Sequence, residues 1–544
     1  MNNRKTLLFT LFTLSFILLF DSWQKFNGLP SLFMPEFNNS GVNNTVKKAD
    51  VNSTTSNTAG IISTNSNSSS LQNISNIKPT ILTTDLYKLE IDPAGAGIKS
   101  LSLLKYLDKD NKTPIELFGL AHKYSARSGL VNGPNHSHAF LPVVASASTD
   151  MASNDKLSFA FTSKVNDIEL VKTYTLHKGS YVIDVDFTIS NRSSNGLIPE
   201  LYAELVRSGD TLQESMFYST FTGPAVYTSA DKFHKITFSD LDKQKASYPT
   251  SADNGWVGMV QHYFATSWIM KEQKNREFYA QNISPNLYRV GFKSNLANLA
   301  PNASVSQNIK LFAGPQQERM LENTATGLEL VKDYGWVTMF AKPLFWLLEK
   351  IYQSVQNWGW SIIILTVLLK LVFFPLTASS QRSMGKMKDL QPKIMALKEQ
   401  YANEPQKMQQ EMLAIYRKEK VNPMGGCLPM MVQIPVFIAL YFVLLSSIEM
   451  RGAAWLGWIH DLSKPDPLYI LPVFMAVSMF LQMKLNPKPA DPMQAKMMMI
   501  VPMVFSVMFF FFPAGLVLYY VVNNLITILQ QYYINQTLKK PITK

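Results

Sequence analysis

Hydrophobic residues along this chain keep two different periods. From residue 81 to about residue 330 they alternate with polar ones. Tyr87, Leu89 and Ile91 interleave with Lys88, Glu90 and Asp92, and Leu157, Phe159 and Phe161 repeat the pattern. The longest case is Tyr181, Ile183, Val185, Phe187 and Ile189, which follows a turn at Lys178 and Gly179. A period of two is what a strand with one buried face requires. Shorter strands fit 279–292 and 304–312, and no helical crossover pattern separates any of them. The sequence therefore predicts a large all-β domain over 81–330, an antiparallel sandwich.

Beyond residue 330 the period lengthens. Trp336, Phe340, Leu344 and Leu347 fall at helical spacing, with Lys342, Glu349 and Lys350 elsewhere. This predicts an amphipathic helix lying in a membrane interface within 331–357. Continuous apolar runs follow at 358–376, 427–446, 468–483, 497–512 and 514–530. As one helix, 497–530 would be on the order of 50 Å long against a hydrocarbon core of about 30 Å. Pro513, Ala514 and Gly515 instead break it into two spans joined by a tight turn. Several of these runs are short, which thins the bilayer locally.

A sixth span stands at the start. Arg4 and Lys5 precede an apolar run over 6–20, and Phe20, Asp21, Ser22 and Trp23 offer no small-residue cleavage pattern. The expectation is an uncleaved anchor over 1–23 with a cytoplasmic N-terminus. Residues 24–80 form a tether, mostly Asn, Ser and Thr over its second half, with too few large apolar residues to fold. The whole reads as a multi-pass α-helical membrane protein with six spans. Its core occupies 358–536, and a short basic cytoplasmic tail occupies 537–544.

Charge orients these spans. The polar stretch 378–424 carries nine basic residues against five acidic ones, which marks the cytoplasmic side. Within it Met387, Leu390, Ile394, Leu397 and Tyr401 step by three and four, as do Met408, Met412 and Ile415. They predict two helices paired as a hairpin about 403–405, with Pro392 starting or kinking the first. Lys484, Lys488 and Lys496, then Lys539, Lys540 and Lys544, mark the same side again. Both termini are therefore expected in the cytoplasm, and the β domain outside it. Trp455 and Trp458, on the opposite side, are expected as interface anchors.

Composition agrees and excludes several chemistries. Charged residues are 17% of the 544-residue chain, below the roughly 25% of soluble proteins, and the net charge of +12 is explained by the loops. The single cysteine, Cys427, rules out an internal disulfide framework and a cysteine-rich zinc site. Seven histidines are scattered without metal-ligand spacing, and no nucleotide-binding GxxxxGK[ST] occurs. No catalytic residue, metal or cofactor is expected.

One charge lies inside a span. Lys370 sits about five residues from the cytoplasmic end of 358–376. A charge at that depth costs roughly 2.5–3.5 kcal/mol on insertion scales, so it is either functional or snorkels to the headgroups. Thr366 precedes it by one turn, and Gln433 lies at similar depth in 427–446. Tyr520, Asn524 and Thr527 form one stripe on the last span. No Asp or Glu occurs within the core spans, so a hydrated inner-leaflet groove open to an outside anion is the expectation.

NPMGGC at 422–427, WIHDLS at 458–463, DPMQ at 491–494, FPAGLVLYY at 512–520 and QPKI at 391–394 resemble the YidC/Oxa family of membrane protein insertases. GWVGMVQHYFATSWI at 255–269 is similar to the Gram-negative YidC form. The resemblance implies a β-supersandwich periplasmic domain and a five-helix insertase core. It also implies a groove binding nascent membrane proteins through Lys370, Thr366, Gln433, Tyr520, Asn524 and Thr527. Implied partners are the Sec translocon, the lipid bilayer, and ribosome and targeting factors received by the hairpin 378–424. The family's groove charge is often arginine; lysine keeps the charge and loses bidentate binding. Two other readings stay open at this stage. A transporter of an anionic solute would need inverted repeats, and a sugar-acting envelope enzyme would need a convergent His/Glu site in the β domain.

Overall fold

The computed structural model describes residues 78–108, 112–143, 150–151, 155–210, 220–332, 334–401, 404–419, 428–485, 500, 503 and 506–539. The expected anchor, nearly all of the tether, the motifs at 422–427 and 491–494, part of the 497–512 span and residues 540–544 lie outside them. The chain divides into two compact units. One holds residues up to His262 and Thr266–Ala313; the second holds Tyr263–Ala265 and the chain from Gly314.

The first unit is built of strands. In chain order they are β1 (Thr80–Thr83), β2 (Tyr87–Asp92), β3 (Gly97–Leu107), β4 (Pro114–Phe118), β5 (Ser125–Leu130), β6 (Leu141–Pro142), β7 (Lys156–Val165), β8 (Ile168–His177), β9 (Val182–Asn191), β10 (Glu200–Ser208), β11 (Gly223–Thr228), β12 (Lys232–Lys235), β13 (Ser251–Ala252), β14 (Trp256–Val260), β15 (Phe264–Ile269), β16 (Arg276–Ser284), β17 (Leu287–Asn295) and β18 (Ser304–Pro315). A short helix, α1 (Phe238–Asp242), follows β12. One sheet runs β1-β2-β3-β5-β10-β17-β16-β13 with β4 beside β3; the other runs β12-β11-β14-β15-β18-β9-β8-β7-β6.

Alternation decides the register. Ile183, Val185, Phe187 and Ile189 of β9 are fully buried, and their polar neighbours face outward. A slip by one residue would turn every one of them into water. The sheets pack face to face around a fully buried lysine. Lys172 of β8 donates to Gly95 O at 2.7 Å and Ser128 O at 2.9 Å on the opposite sheet, between the rings of Phe140 and Phe187. Neighbouring Tyr174 donates to Ala96 O at 2.5 Å.

The second unit is helical. Its elements are α2 (Glu318–Thr324), α3 (Thr338–Val355), α4 (Trp358–Val372), α5 (Phe374–Gln400), α6 (Pro405–Lys418), α7 (Leu428–Ser446), α8 (Ile470–Leu485) and α9 (Ala514–Lys539). Among the described residues no single helix is both long and apolar enough to cross a membrane. α4 with the first half of α5 meets that test as a pair bent by 61°. The outer faces of these helices expose Leu371, Val372, Val473, Phe474 and Leu529. An apolar surface of that extent is what lipid contact leaves bare.

Local packing is seen at three of the expected segments, and at one of them it corrects the expectation. α3 buries Ala341, Leu344, Phe345 and Leu348, while Phe340 is exposed with Trp346. The helix is apolar on two faces, and packing against α4 and α7 buries this one. The first helix of the polar hairpin begins at Phe374, with Pro375 in its first turn, and continues through Pro392. Proline is at home in a first turn, where its missing N–H is unneeded. Trp458 and Trp455 are both half-buried. Trp458 Nε1 donates to Asp466 Oδ1 at 2.9 Å, and Trp455 lies over Gly359.

Candidate functional site

Polar and apolar residues segregate along the helical unit. Trp358, Ile362 and Leu365 of α4, Leu440 and Val443 of α7 and Val517 of α9 join one dry cluster. These residues come from the first turns of α4 and α9 and the last turns of α7. The opposite ends of the same helices carry the polar groups.

The start of α4 is fixed by Asn357, whose side chain accepts from Trp360 N at 3.1 Å and donates to Trp455 O at 3.3 Å. Three turns on, Thr366 turns its hydroxyl back onto Ile362 O at 2.6 Å, so it offers only an acceptor to the cleft beside it. One turn further, Lys370 is 8% exposed. Its Nζ donates to Thr527 Oγ1 on α9 at 2.9 Å and to Gln433 Oε1 on α7 at 3.5 Å. Gln433 Nε2 donates in turn to Asn523 Oδ1 on α9. Gln530 Nε2 reaches Lys370 O at 3.4 Å. One ammonium thus ties together α4, α7 and α9.

A narrow cleft opens beside it, lined by Thr366, Lys370, Thr377, Gln433, Tyr519 and Asn523 among apolar neighbours. Among the described residues no carboxylate lies within ion-pair reach of Lys370. The charge is met by neutral dipoles alone, a costly arrangement unless an anion visits it. Among the described residues the lining contains no histidine, thiol or carboxylate. What it offers is hydrogen bonding and one positive charge.

The expected residues divide into two groups. Lys370, Gln433 and Thr527 meet, and Thr366 lines the same cleft. Asn524 faces away, donating to Ser478 Oγ of α8 at 3.1 Å. Tyr520 is packed between Phe437 and Phe509, each ring 4.7 Å away. Their places in the cleft are taken by Asn523 and Tyr519. The stripe Tyr519, Asn523, Thr527 is as regular as the expected one, and the pair of adjacent asparagines was the signal that two stripes compete.

The hairpin is closed by an ion pair, Lys393 Nζ to Glu419 Oε1 at 2.8 Å, joining α5 to the end of α6. Both partners are largely exposed, so this pair steadies the geometry more than it stabilises the fold.

Residues 80–347 match the family model of the YidC periplasmic domain, and residues 350–541 match that of the 60Kd inner membrane protein. The membrane protein insertase YidC of Cupriavidus metallidurans is 55% identical over 549 residues, covering 99% of this chain and 98% of the relative. That of Cupriavidus taiwanensis is 54% identical over 555 residues, with the same coverage. Among solved structures, an active YidC insertase with its first transmembrane domain resolved is similar at a TM-score of 0.39. The two are 17% identical, with 84% of this chain and 93% of that one covered. With more than half of its residues identical over nearly the full length of such relatives, the chain belongs to the YidC family of inner-membrane protein insertases, in the form that carries a periplasmic domain.

Proposed function

We propose that this protein inserts and folds nascent membrane proteins in the bacterial inner membrane, alone or beside the Sec translocon, through a hydrated inner-leaflet groove around Lys370. The observation that carries the reading is the Lys370 ammonium. It is almost buried, is held among the described residues by Thr527 and Gln433, and borders a cleft. A polar client segment enters this cleft from the cytoplasm, where the amides and hydroxyls replace its water. It then has only the apolar half of the bundle left to cross.

The topology that fits this is six spans with both termini inside. The basic residues of 378–424 stay in the cytoplasm under this scheme, and the short apolar helices thin the bilayer around the groove. The hairpin of α5 and α6 stands at the groove's cytoplasmic end and receives the ribosome and targeting factors.

Site-directed photocrosslinking tests the reading. A crosslinker at Val436, which lines the cleft, should capture a stalled nascent membrane protein; one at Val473, exposed on α8, should capture it far less. Equal capture from both positions, or none from Val436, would overturn the groove.

A further inference from the structure

The Gln433 side chain is an odd partner for a buried ammonium. An amide carries a donor and an acceptor at the same radius, and only the acceptor suits Lys370. Its orientation is held by Asn523, whose Oδ1 takes the Nε2 hydrogen, together with the Tyr519 hydroxyl, which also hydrogen-bonds this side chain; Oε1 is left toward Lys370. Asn523 itself is 8% exposed and lies one turn from Thr527, whose Oγ1 donates to Asn523 O at 2.7 Å. The lysine therefore has one close acceptor, Thr527 Oγ1 at 2.9 Å, and one loose acceptor, Gln433 Oε1 at 3.5 Å.

We infer that Gln433, oriented by Asn523, is a placeholder for the carboxylate of an incoming client segment, and that this pair sets how strongly the groove prefers acidic clients. The inference rests on the proposed role of Lys370. In the empty groove the amide oxygen supplies the second acceptor that a desolvated ammonium needs. When an acidic residue arrives, a charge-assisted hydrogen bond, roughly twice as strong as a neutral one, displaces it. The 3.5 Å contact is the one that yields; the 2.9 Å contact to Thr527 keeps the lysine aimed while the exchange takes place. Gln433 and Val436 line the cleft on α7, so the displaced amide swings on the side where the client sits. Asn523 acts one step removed, as a positioning residue. Without it the amide is free to turn its donor toward the ammonium, where donor faces donor.

The test is the ratio of acidic-client to neutral-client insertion, read by protease protection of matched clients in cells expressing full-length variants at equal membrane level. Gln433→Glu places a permanent carboxylate beside Lys370 and should lower that ratio several-fold. Gln433→Leu removes the placeholder and should keep or raise it. Asn523→Leu loosens the placeholder and should, like Gln433→Leu, keep or raise it. Because Asn523 acts only through the amide, the effects of Asn523→Leu and Gln433→Leu should be non-additive in the double variant. An unchanged ratio in Gln433→Glu would overturn the placeholder, as would an equal loss of both clients in Gln433→Glu and Gln433→Leu. The Lys370→Ala variant separates the two failures. If it is selective for client charge and Gln433→Glu is not, only the placeholder falls. If Lys370→Ala is itself unselective, the role of the lysine falls and the placeholder with it.

Discussion

Lys370 and Thr527 stand 157 residues apart in the chain and 2.9 Å apart at their polar atoms. That contact fixes the ammonium of α4 against α9, facing a cleft that carries no acid among the described residues.

Charge at this position should therefore govern client choice. At an effective dielectric near 20, opposite charges about 4 Å apart attract by about 4 kcal/mol before desolvation is subtracted. Lys370→Arg should preserve insertion. Lys370→Ala should impair clients with acidic translocated segments most, and Lys370→Glu should be worst because it repels those same segments. Protease protection of matched clients measures each. Equal insertion of acidic and neutral clients by Lys370→Ala would leave the lysine a snorkelling residue.

Packing at the other end of α4 yields a stability prediction. A Cβ on Gly359 would fall 2.2 Å from Trp455 Cδ1, so the helix and the loop approach closely only because this residue is glycine. Gly359→Ala should destabilise the helical unit by about 1–3 kcal/mol, the usual cost of overpacking. The expected readout is a lower melting temperature of the purified protein in detergent. Gly359→Ala with Trp455→Leu should recover part of the loss, and an unchanged melting temperature in Gly359→Ala would refute the contact.

In the β domain, burial pushes the Lys172 ammonium down to about 7 from 10.5. Between these values the unfolded chain holds a proton that the folded one has released. Stability from this group therefore rises with pH across that window and is lost as pH falls toward 7. The slope is at most about 1.4 kcal/mol per pH unit. Unfolding of the full-length protein in detergent, followed from pH 7 to 10, should show the wild type gaining on Lys172→Met as pH rises. A constant difference would mean that the carbonyls of Gly95, Ala96 and Ser128 around the amine hold it charged throughout.

The topology has its own test. In a background with Cys427 replaced, cysteine at Asn195, an exposed position of the β domain, should react with an impermeant thiol reagent in intact cells. Cysteine at Asn403 or Lys544 should not. Labelling at Lys544 from outside would merge 497–512 and 514–530 into one span and reduce the six spans to five.

The strands were legible because each residue in a sheet has only two ways to face. Ile183, Val185, Phe187 and Ile189 admit one register, and the structure adopts it. Helices leave more choices. Residues 523 and 524 lie on either side of the line through Thr527, and which of them enters the cleft depends on what stands opposite. Gln433 of α7 meets Asn523, while Ser478 of α8 meets Asn524. That is a property of the neighbours, absent from the spacing within α9. Tyr519 and Tyr520 exchange places for the same reason. On α3 two apolar faces competed, and only the packing of α4 and α7 separated them.

The dry cluster of Trp358, Ile362, Leu365, Leu440, Val443 and Val517 has a bioenergetic consequence. Among the described residues it fills the half of the bundle opposite the polar groups. Under the proposed groove, water admitted at Lys370 would stop against this cluster. A planar bilayer containing the protein should then show no steady conductance.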